Sequence, residues 1–446
     1  MRKSLSTILT VLLLTINAAR ARADSPSLNT VTFKCADACV TLLAAPDVSF
    51  PSPLIEATSR GYDFSSPFAS NWTPAKEYVW ETGTVSYGSR GTTYDSGDFD
   101  PILDQALALA DYEGFKKRKR ESQKHGKHRG FGICCLLEHS GGAPIESAKL
   151  SFPGNDTMLL TLNVQNTGQG HATVFPRVMA ATLGIPASKI AHAHGDSSNE
   201  LAGYASVGSR SAMTAGHSIV KAMDTILEKG KPIAATMLET GEADIVYRTG
   251  NFEVVGTDRR VTLFEVATRA AEMKKRGEIA EDLDTKTTTE TPLAYPNGVH
   301  TAEVEIDPDT GHLTIATYTA VDDCGQALDA MIVQGQLHGS VAAGLGQVLM
   351  ENVVYDEGNG QLVTGSFMDY AMPRADDIPP MRDALYDVPA TTNPLGVKGV
   401  GEAGTTAAIS AVMNAIADAI PNGAADHMEM PATAQRVWEA CQRAKA

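Results

Sequence analysis

Residues 393–408 read NPLGVKGVGEAGTTAA and place Glu402 among four glycines, Gly396, Gly399, Gly401 and Gly404. Glycine has no Cβ, so such a loop lets backbone approach a bound molecule closely. A lone carboxylate held there suits proton transfer. The competing reading is an acid placed at the positive end of the helix that follows over 405–420. The same window spells G-x-G-x-x-G at Gly399, Gly401 and Gly404. A dinucleotide fingerprint needs that spelling after a strand, inside a strand–helix–strand unit. Here Pro394 lies just upstream, proline disfavours a central strand, and no second parallel strand is visible after the helix.

Two further loops could bind an anion. Gly168 to Gly170 form a tight turn carrying Gln169, followed by His171 and an apolar helix over 172–183. Gly208, Ser209, Arg210 and Ser211 lead into a second helix reaching about 228. Each follows a strand, over 158–164 and 189–194. A helix N-terminus offers free N–H groups and a positive dipole end, which suit an anionic ligand. Taken singly, these residues have bland readings. His171 could be a satisfied structural histidine. Arg210 could form a surface ion pair, which contributes little. Cys324 could be a small buried apolar residue. His192 and His194 alternate along a strand and share a face, with no third metal ligand evident.

The elements that position these loops imply an α+β (mixed α/β) fold in two related strand–helix modules. The first spans 83–290 and the second, with the Glu402 loop, 291–446. A helix is expected over 102–127 and a buried strand over 130–138. Residues 231–275 suggest a small hairpin and a helix, and 279–297 a polar, threonine-rich connector. Strands over 302–306 and 313–321 form a hairpin that delivers Asp322, Asp323, Cys324 and Gly325. The helix that follows, over 333–350, carries glycines at 335, 339, 344 and 346. Glycine weakens a helix, so close approach is expected there.

Composition sets the class. The chain has 446 residues, 43% hydrophobic and 20% charged, enough for two or three domains with a sizeable core. A net charge of -16 disfavours nucleic acid or an anionic membrane as partner. The basic run Lys116 to Arg120 reads as the solvated end of a helix rather than as a nucleic-acid patch. The six cysteines show neither iron–sulfur nor zinc spacing. Cys134 and Cys135 lie in an apolar strand, and Cys35 and Cys39 could bridge in an oxidising compartment. Residues 1–23 resemble a secretory leader: a basic start, an apolar run over 8–18 and a small-x-small site at Ala21-Arg22-Ala23. No stretch is apolar for long enough to span a bilayer. Residues 24–82, broken by prolines, read as an irregular lead-in.

Seven segments, taken in order, resemble the molybdenum-cofactor-binding subunit of the xanthine dehydrogenase / aldehyde oxidase family, with the carbon monoxide dehydrogenase large subunit nearest in wording. They are TYDSGDFD at 93–100, NTGQGHAT at 166–173, HGDSSN at 194–199 and GSRSAM at 208–213. VDDCGQALDAMIVQGQLHGSVAAGLGQ at 321–347, GSFMDYAMPRADDIP at 365–379 and NPLGVKGVGEAGT at 393–405 complete the set. The resemblance implies that Glu402 is the general base beside the molybdenum. It implies that Gln169, Gly170 and His171 hold the pterin, and that Gly208, Ser209, Arg210 and Ser211 grip its phosphate or nucleotide tail. Cys324, Gln336, Lys398, Gly399, Val400 and Gly401 would line the cofactor, with no side chain ligating the metal directly. The implied reaction is hydroxylation of aldehydes or N-heteroaromatics with water as the oxygen source. A base of this kind needs a pKa near working pH and a water-poor setting. The cofactor would be molybdopterin, in simple or cytosine dinucleotide form, with no iron–sulfur or flavin site in this chain. Iron–sulfur and FAD subunits are the implied partners.

The chain departs from the family pattern in length. The family's N-terminal domain and the first half of its cofactor domain, which supply a loop over the metal and the substrate-side loop, have no counterpart here. A separate chain supplying that half is one reading. A truncated, non-catalytic secreted or scaffold protein is the other. The leader suggests a periplasmic or secreted location, whereas cofactor loading in the family suggests the cytoplasm.

Overall fold

The computed structural model describes residues 94–445 and, before them, only the backbone of two strand pairs. These are β1 (Asn29–Cys35) with β2 (Ala38–Ala44), and β3 (Ala57–Thr58) with β4 (Gly61–Tyr62). They fall within the stretch expected to be irregular. The leader over 1–23 and the side chains of Cys35 and Cys39 lie outside the described residues. The chain continues through α1 (Phe99–Leu109), α2 (Tyr112–Lys124), β5 (His128–Leu137), β6 (Ile145–Gly154) and β7 (Thr157–Leu162). Next come α3 (His171–Leu183), β8 (Ile190–His194), α4 (Ser211–Met237), β9 (Ile245–Arg248), β10 (Asn251–Val254), β11 (Arg260–Thr262) and α5 (Leu263–Lys275). Then follow β12 (Thr285–Glu290), β13 (Asn297–Ile306), β14 (Leu313–Asp323), α6 (Ala330–Leu349), β15 (Met381–Leu385), α7 (Ala403–Ala419) and α8 (Ala434–Lys445). The fold is α+β.

Two four-stranded sheets carry the architecture, in the orders β12-β6-β7-β8 and β5-β13-β14-β15. Each contains two antiparallel pairings and one parallel pairing. Parallel neighbours need a crossover, usually a helix. Helix α3 supplies it between β7 and β8, and α6 between β14 and β15. A further helix packs across each sheet, α4 on β6 and β12, and α7 on β5 and β13. The two modules therefore share one plan. Their boundary is less simple than a cut at 290. Strand β5 pairs with β13 of the second sheet, while β12 pairs with β6 of the first. Only β5 crosses that cut, since β12 ends at 290 and stays with the first sheet, and a β-strand's own sequence does not name its partner.

The alternation along β5 shows why it reads as one apolar run. Phe131 and Ile133 face α1, packing with Ile102 and Ala106. Cys134 and Leu136 face α6 and α7, packing with Leu337 and Ala411. A strand covered on both faces carries apolar residues at successive positions. On the α7 side, a Cβ at Gly130 would stand 1.9 Å from Ala415 O, and one at Gly132 2.0 Å from Ala411 O. Helix α7 meets the sheet through Ala407, Ala411 and Ala415, all fully buried. Overpacking of this kind typically costs about 1–3 kcal/mol. Gly132→Ala is therefore expected to lower the unfolding free energy by that order, which equilibrium urea unfolding would measure.

Five local expectations need correction. The helix expected over 102–127 is two helices, because Asp111 takes φ 50° between α1 and α2. The helix expected to end near 228 runs through Pro232 to Met237, where a Cβ at Gly230 would stand 2.6 Å from the Phe252 ring. The polar connector over 279–297 contains β12, whose threonines pair with β6. Of the α6 glycines, Gly344 and Gly346 meet Ala408 and Glu351, but Gly335 and Gly339 have no neighbour within 4 Å. The basic run lies in the middle of α2 rather than at a helix end, and only part of it is solvated: Lys116, Lys117 and Arg120 are exposed, whereas Lys119 pairs with Asp418 and Arg118 with the buried Glu303.

Candidate functional site

A cleft of about 310 Å³ opens between the two sheets' helices. Its walls bring together Gln169, His171, Gly208, Ser209, Arg210, Ser211, Cys324, Gln336, Lys398, Gly399, Val400, Gly401 and Glu402. Gly170 stands directly behind, at φ 74°, where a Cβ would meet the Ile332 side chain at 2.4 Å. The shared plan of the modules explains the convergence. The N-terminal ends of α3, α4, α6 and α7 reach the cleft at His171, Ser211, Ile332 and Glu402. Helix N-termini favour negative charge, so the cleft suits an anion in a protein whose net charge is -16.

Glu402 occupies the N-cap position of α7, yet its side chain makes no capping hydrogen bond. Its carboxylate instead accepts from Ser209 Oγ at 2.8 Å, across the cleft from the other module. Glu402 thus stands at the positive end of α7, as the competing reading holds, but its carboxylate is directed to the other module rather than to the helix backbone. Glu402 is exposed in the cleft mouth, so this chain alone does not give it a water-poor setting. The loop behind it is tightly built. A Cβ at Gly399 would lie 2.1 Å from Ser209 O, and Gly399 N–H donates to Ser140 Oγ at 3.1 Å.

Two expected contacts are corrected in kind. The Arg210 guanidinium is fully buried and pairs with Glu146 at 2.7 Å. It also donates to the carbonyls of Ala143, Ile145 and Tyr204. Those bonds commit its donors, so Arg210 offers the cleft its backbone rather than its charge, and it is no surface ion pair. Lys398 is spent in the same way, at 2.6 Å from the buried Asp323, while its N–H donates to Cys324 O at 2.7 Å. The Cys324 thiol is pushed up to about 12, first by burial and then by the charge of Asp387, so it stays a neutral wall group.

His171 remains available. Burial first, then His192 and His194, push it down to about 4, so it is neutral. Its Nδ1 is buried without a hydrogen-bonding partner. An orphaned ring nitrogen in a cleft wall needs a ligand to satisfy it. His192 and His194 do share a face, with ring centroids 5.1 Å apart. His194 Nδ1 accepts from Asn166 N–H at 3.2 Å and so braces the Gln169 loop. Residues 94–100 of the first segment lie behind the Glu402 loop, where Asp95 accepts from Thr391 N–H and Asp98 from Tyr386 OH. Segment 365–379 does not line the cleft, and its Phe367 and Met368 are 88% and 93% exposed.

Sequence reading missed Ser140, Glu146 and Asp323. The second acid of Asp322-Asp323 before Cys324 was the available signal for the last. Ser140 looks in sequence like an ordinary strand end.

A profile of the molybdopterin cofactor-binding domain family matches residues 105–379. The chain belongs to that family. The matched stretch stops short of the Glu402 loop, so roles there rest on the geometry. Within the family, the nicotine 6-hydroxylase large subunit of Paenarthrobacter nicotinovorans is 33% identical, over 82% of this chain and 46% of that one. The carbon monoxide dehydrogenase large chain of Hydrogenophaga pseudoflava is 29% identical, over 78% and 45%. Among solved structures, quinoline 2-oxidoreductase from Pseudomonas putida 86 has a TM-score of 0.71 at 30% identity, over 79% of this chain and 47% of that one. The chain thus spans about half the length of the curated relatives it matches. Among the described residues no helix is long and apolar enough to cross a membrane.

Proposed function

We propose that this chain is the cofactor-holding half of a molybdenum-dependent oxidoreductase acting on aldehydes or N-heteroaromatic compounds, with water as the oxygen source. One observation carries the reading. Glycine loops from both modules, four helix N-termini, an orphaned neutral histidine and the Glu402 carboxylate converge on a single cleft.

The residues fit a molybdopterin. Gln169 and His171 Nδ1 would hold the pterin, and the bare backbone at Gly399 and Gly401 lets it approach closely. The α4 N-terminus at Ser209 and Ser211 would take its phosphate, or the tail of a cytosine dinucleotide form. Bound there, the cofactor supplies the redox centre and Lewis acid. Glu402 then acts as base, taking a proton at its carboxylate while Ser209 Oγ fixes its orientation. Because Glu402 stands exposed here, water must be excluded from the other side of the cleft. A further stretch of polypeptide, in the same or a separate chain, would supply that wall and the substrate-side loop. Iron–sulfur and FAD subunits would carry the electrons away.

The test is metal and pterin analysis of the purified protein, alone and co-expressed with neighbouring gene products. Stoichiometric molybdenum is expected in the co-expressed complex. Gln169→Ala is expected to lower molybdenum and pterin content together without changing the unfolding midpoint. If no preparation retains molybdenum, the enzymatic reading is wrong and a non-catalytic scaffold role replaces it.

A further inference from the structure

Residues 350–380, between α6 and β15, form an arm that turns its apolar side chains outward. Its shape is set by its own bonds. Val363 N–H donates to Val354 O and Asp356 N–H to Gln361 O, both at 2.8 Å. The arm is seated on the C-terminal end of α6, where Tyr370 Oη donates to Glu351 at 2.7 Å and a Cβ at Gly346 would stand 2.9 Å from Pro373. Yet Val353, Tyr355, Val363, Phe367, Met368 and Met372 are exposed. A soluble monomer rarely exposes a contiguous apolar patch of this kind unless something binds it.

The patch continues toward the cleft along α6. Ile332, Val333 and Gln336 of that helix line the cleft. Its outer side exposes Met331, Gly335, Gly339 and Ala343, four residues apart and so stacked on one face. Among the described residues nothing lies within 4 Å of a Cβ built at Gly335 or Gly339. Glycine weakens an exposed helix, and no contact made by the described residues accounts for either one. The helix has 20 residues and is about 30 Å long, so one body lying along it reaches from the arm to the cleft rim.

Charge selects the occupant. The arm exposes Asp356, Glu357, Asp369, Asp376 and Asp377, and Arg374 is its only Lys or Arg. Two copies joined symmetrically through this face would set these acids against each other. An anionic membrane would be repelled in the same way. We propose that the arm and the outer face of α6 dock a separate polypeptide with an apolar face bordered by Lys and Arg, and that this polypeptide is the one that closes the cleft over Glu402. The inference deepens the reading of the chain as the cofactor-holding half, and rests on it. Phe367 and Met368 are the anchors, and the two glycines let the incoming backbone lie close to α6.

The test measures association by sedimentation velocity, using the full chain co-expressed with neighbouring gene products. Phe367→Asp with Met368→Asp is expected to weaken association about 30-fold or more, the effect of losing a hot-spot residue, with the unfolding midpoint of the free chain unchanged. Glu357→Lys with Asp376→Lys is expected to slow association, by reversing charge at the rim. Gly339→Ala should lower the unfolding constant of the free chain about 4–5-fold, as in any exposed helix, while Gly339→Leu should block the complex. If Gly339→Leu destabilises the free chain, the face is already covered from within and the proposal falls. It falls too if no co-expressed protein binds, or if Phe367→Asp with Met368→Asp acts only by splitting a dimer of this chain. Equal assembly of wild type and variants in a complex full of molybdenum overturns the docking face alone. Assembly lost in the variants of a protein that never retains molybdenum upholds the face and sinks the enzymatic reading.

Discussion

Turnover by the assembled enzyme is expected to fall about 10²–10⁴-fold in Glu402→Gln, with molybdenum and pterin still bound. Glutamine is nearly isosteric and still accepts from Ser209 Oγ, so the cleft should keep its shape. What it loses is the ability to take a proton. Glu402 makes no capping bond to α7, so removing its charge should cost only the helix-dipole contribution, about 0.3–1 kcal/mol. The measurement is steady-state oxidation of an aldehyde or N-heteroaromatic substrate alongside metal analysis of the same sample. Unchanged turnover with full metal content would remove Glu402 from the mechanism.

Arg210→Ala is expected to destabilise the fold by about 3–5 kcal/mol, the usual consequence of removing one partner of a buried ion pair. Glu146 is fully buried beside it, so the substitution leaves an uncompensated charge as well as several carbonyls without donors. Equilibrium urea unfolding measures this. A direct phosphate contact predicts something else, weakened cofactor retention at unchanged stability. The double variant Arg210→Met with Glu146→Leu separates the two readings. It is expected to recover most of the stability, because an apolar pair of similar volume often replaces a buried ion pair at little cost. Lys398 and Asp323 form the equivalent buried pair under the Glu402 loop. The Gly208 and Glu402 loops thus each stand on an internal ion pair rather than presenting a cation to the cleft.

Much of this was legible in the sequence, for physical reasons. Gly208, Gly399 and Glu402 were visible because a glycine loop before an apolar helix carries a local signature. Strands β13 and β14 were visible because Asp307-Pro308-Asp309-Thr310-Gly311 separates two alternating runs. The fates of Arg210 and Lys398 were not, because a charged residue in a binding loop has the same spelling whether its side chain points in or out. Their partners lie 64 and 75 residues away. Asp111 escaped because an uninterrupted helical pattern runs across a residue held at φ 50°.

The late-pairing edge strands carry a consequence for how the chain is made. During synthesis, β5 and β6 emerge long before their partners β13 and β12. Until residues 285–306 appear, the nascent chain carries two unsatisfied sheet borders, the kind of surface that recruits other copies. Their distant partners close both sheets late, and the same closure brings the helix ends together around the cleft. An N-terminal fragment ending at 290 would take β12 with it but leave β5 bare. The molecule behaves as a clasp whose two hooks catch together, and a ligand seated in the cleft would hold both hooks shut.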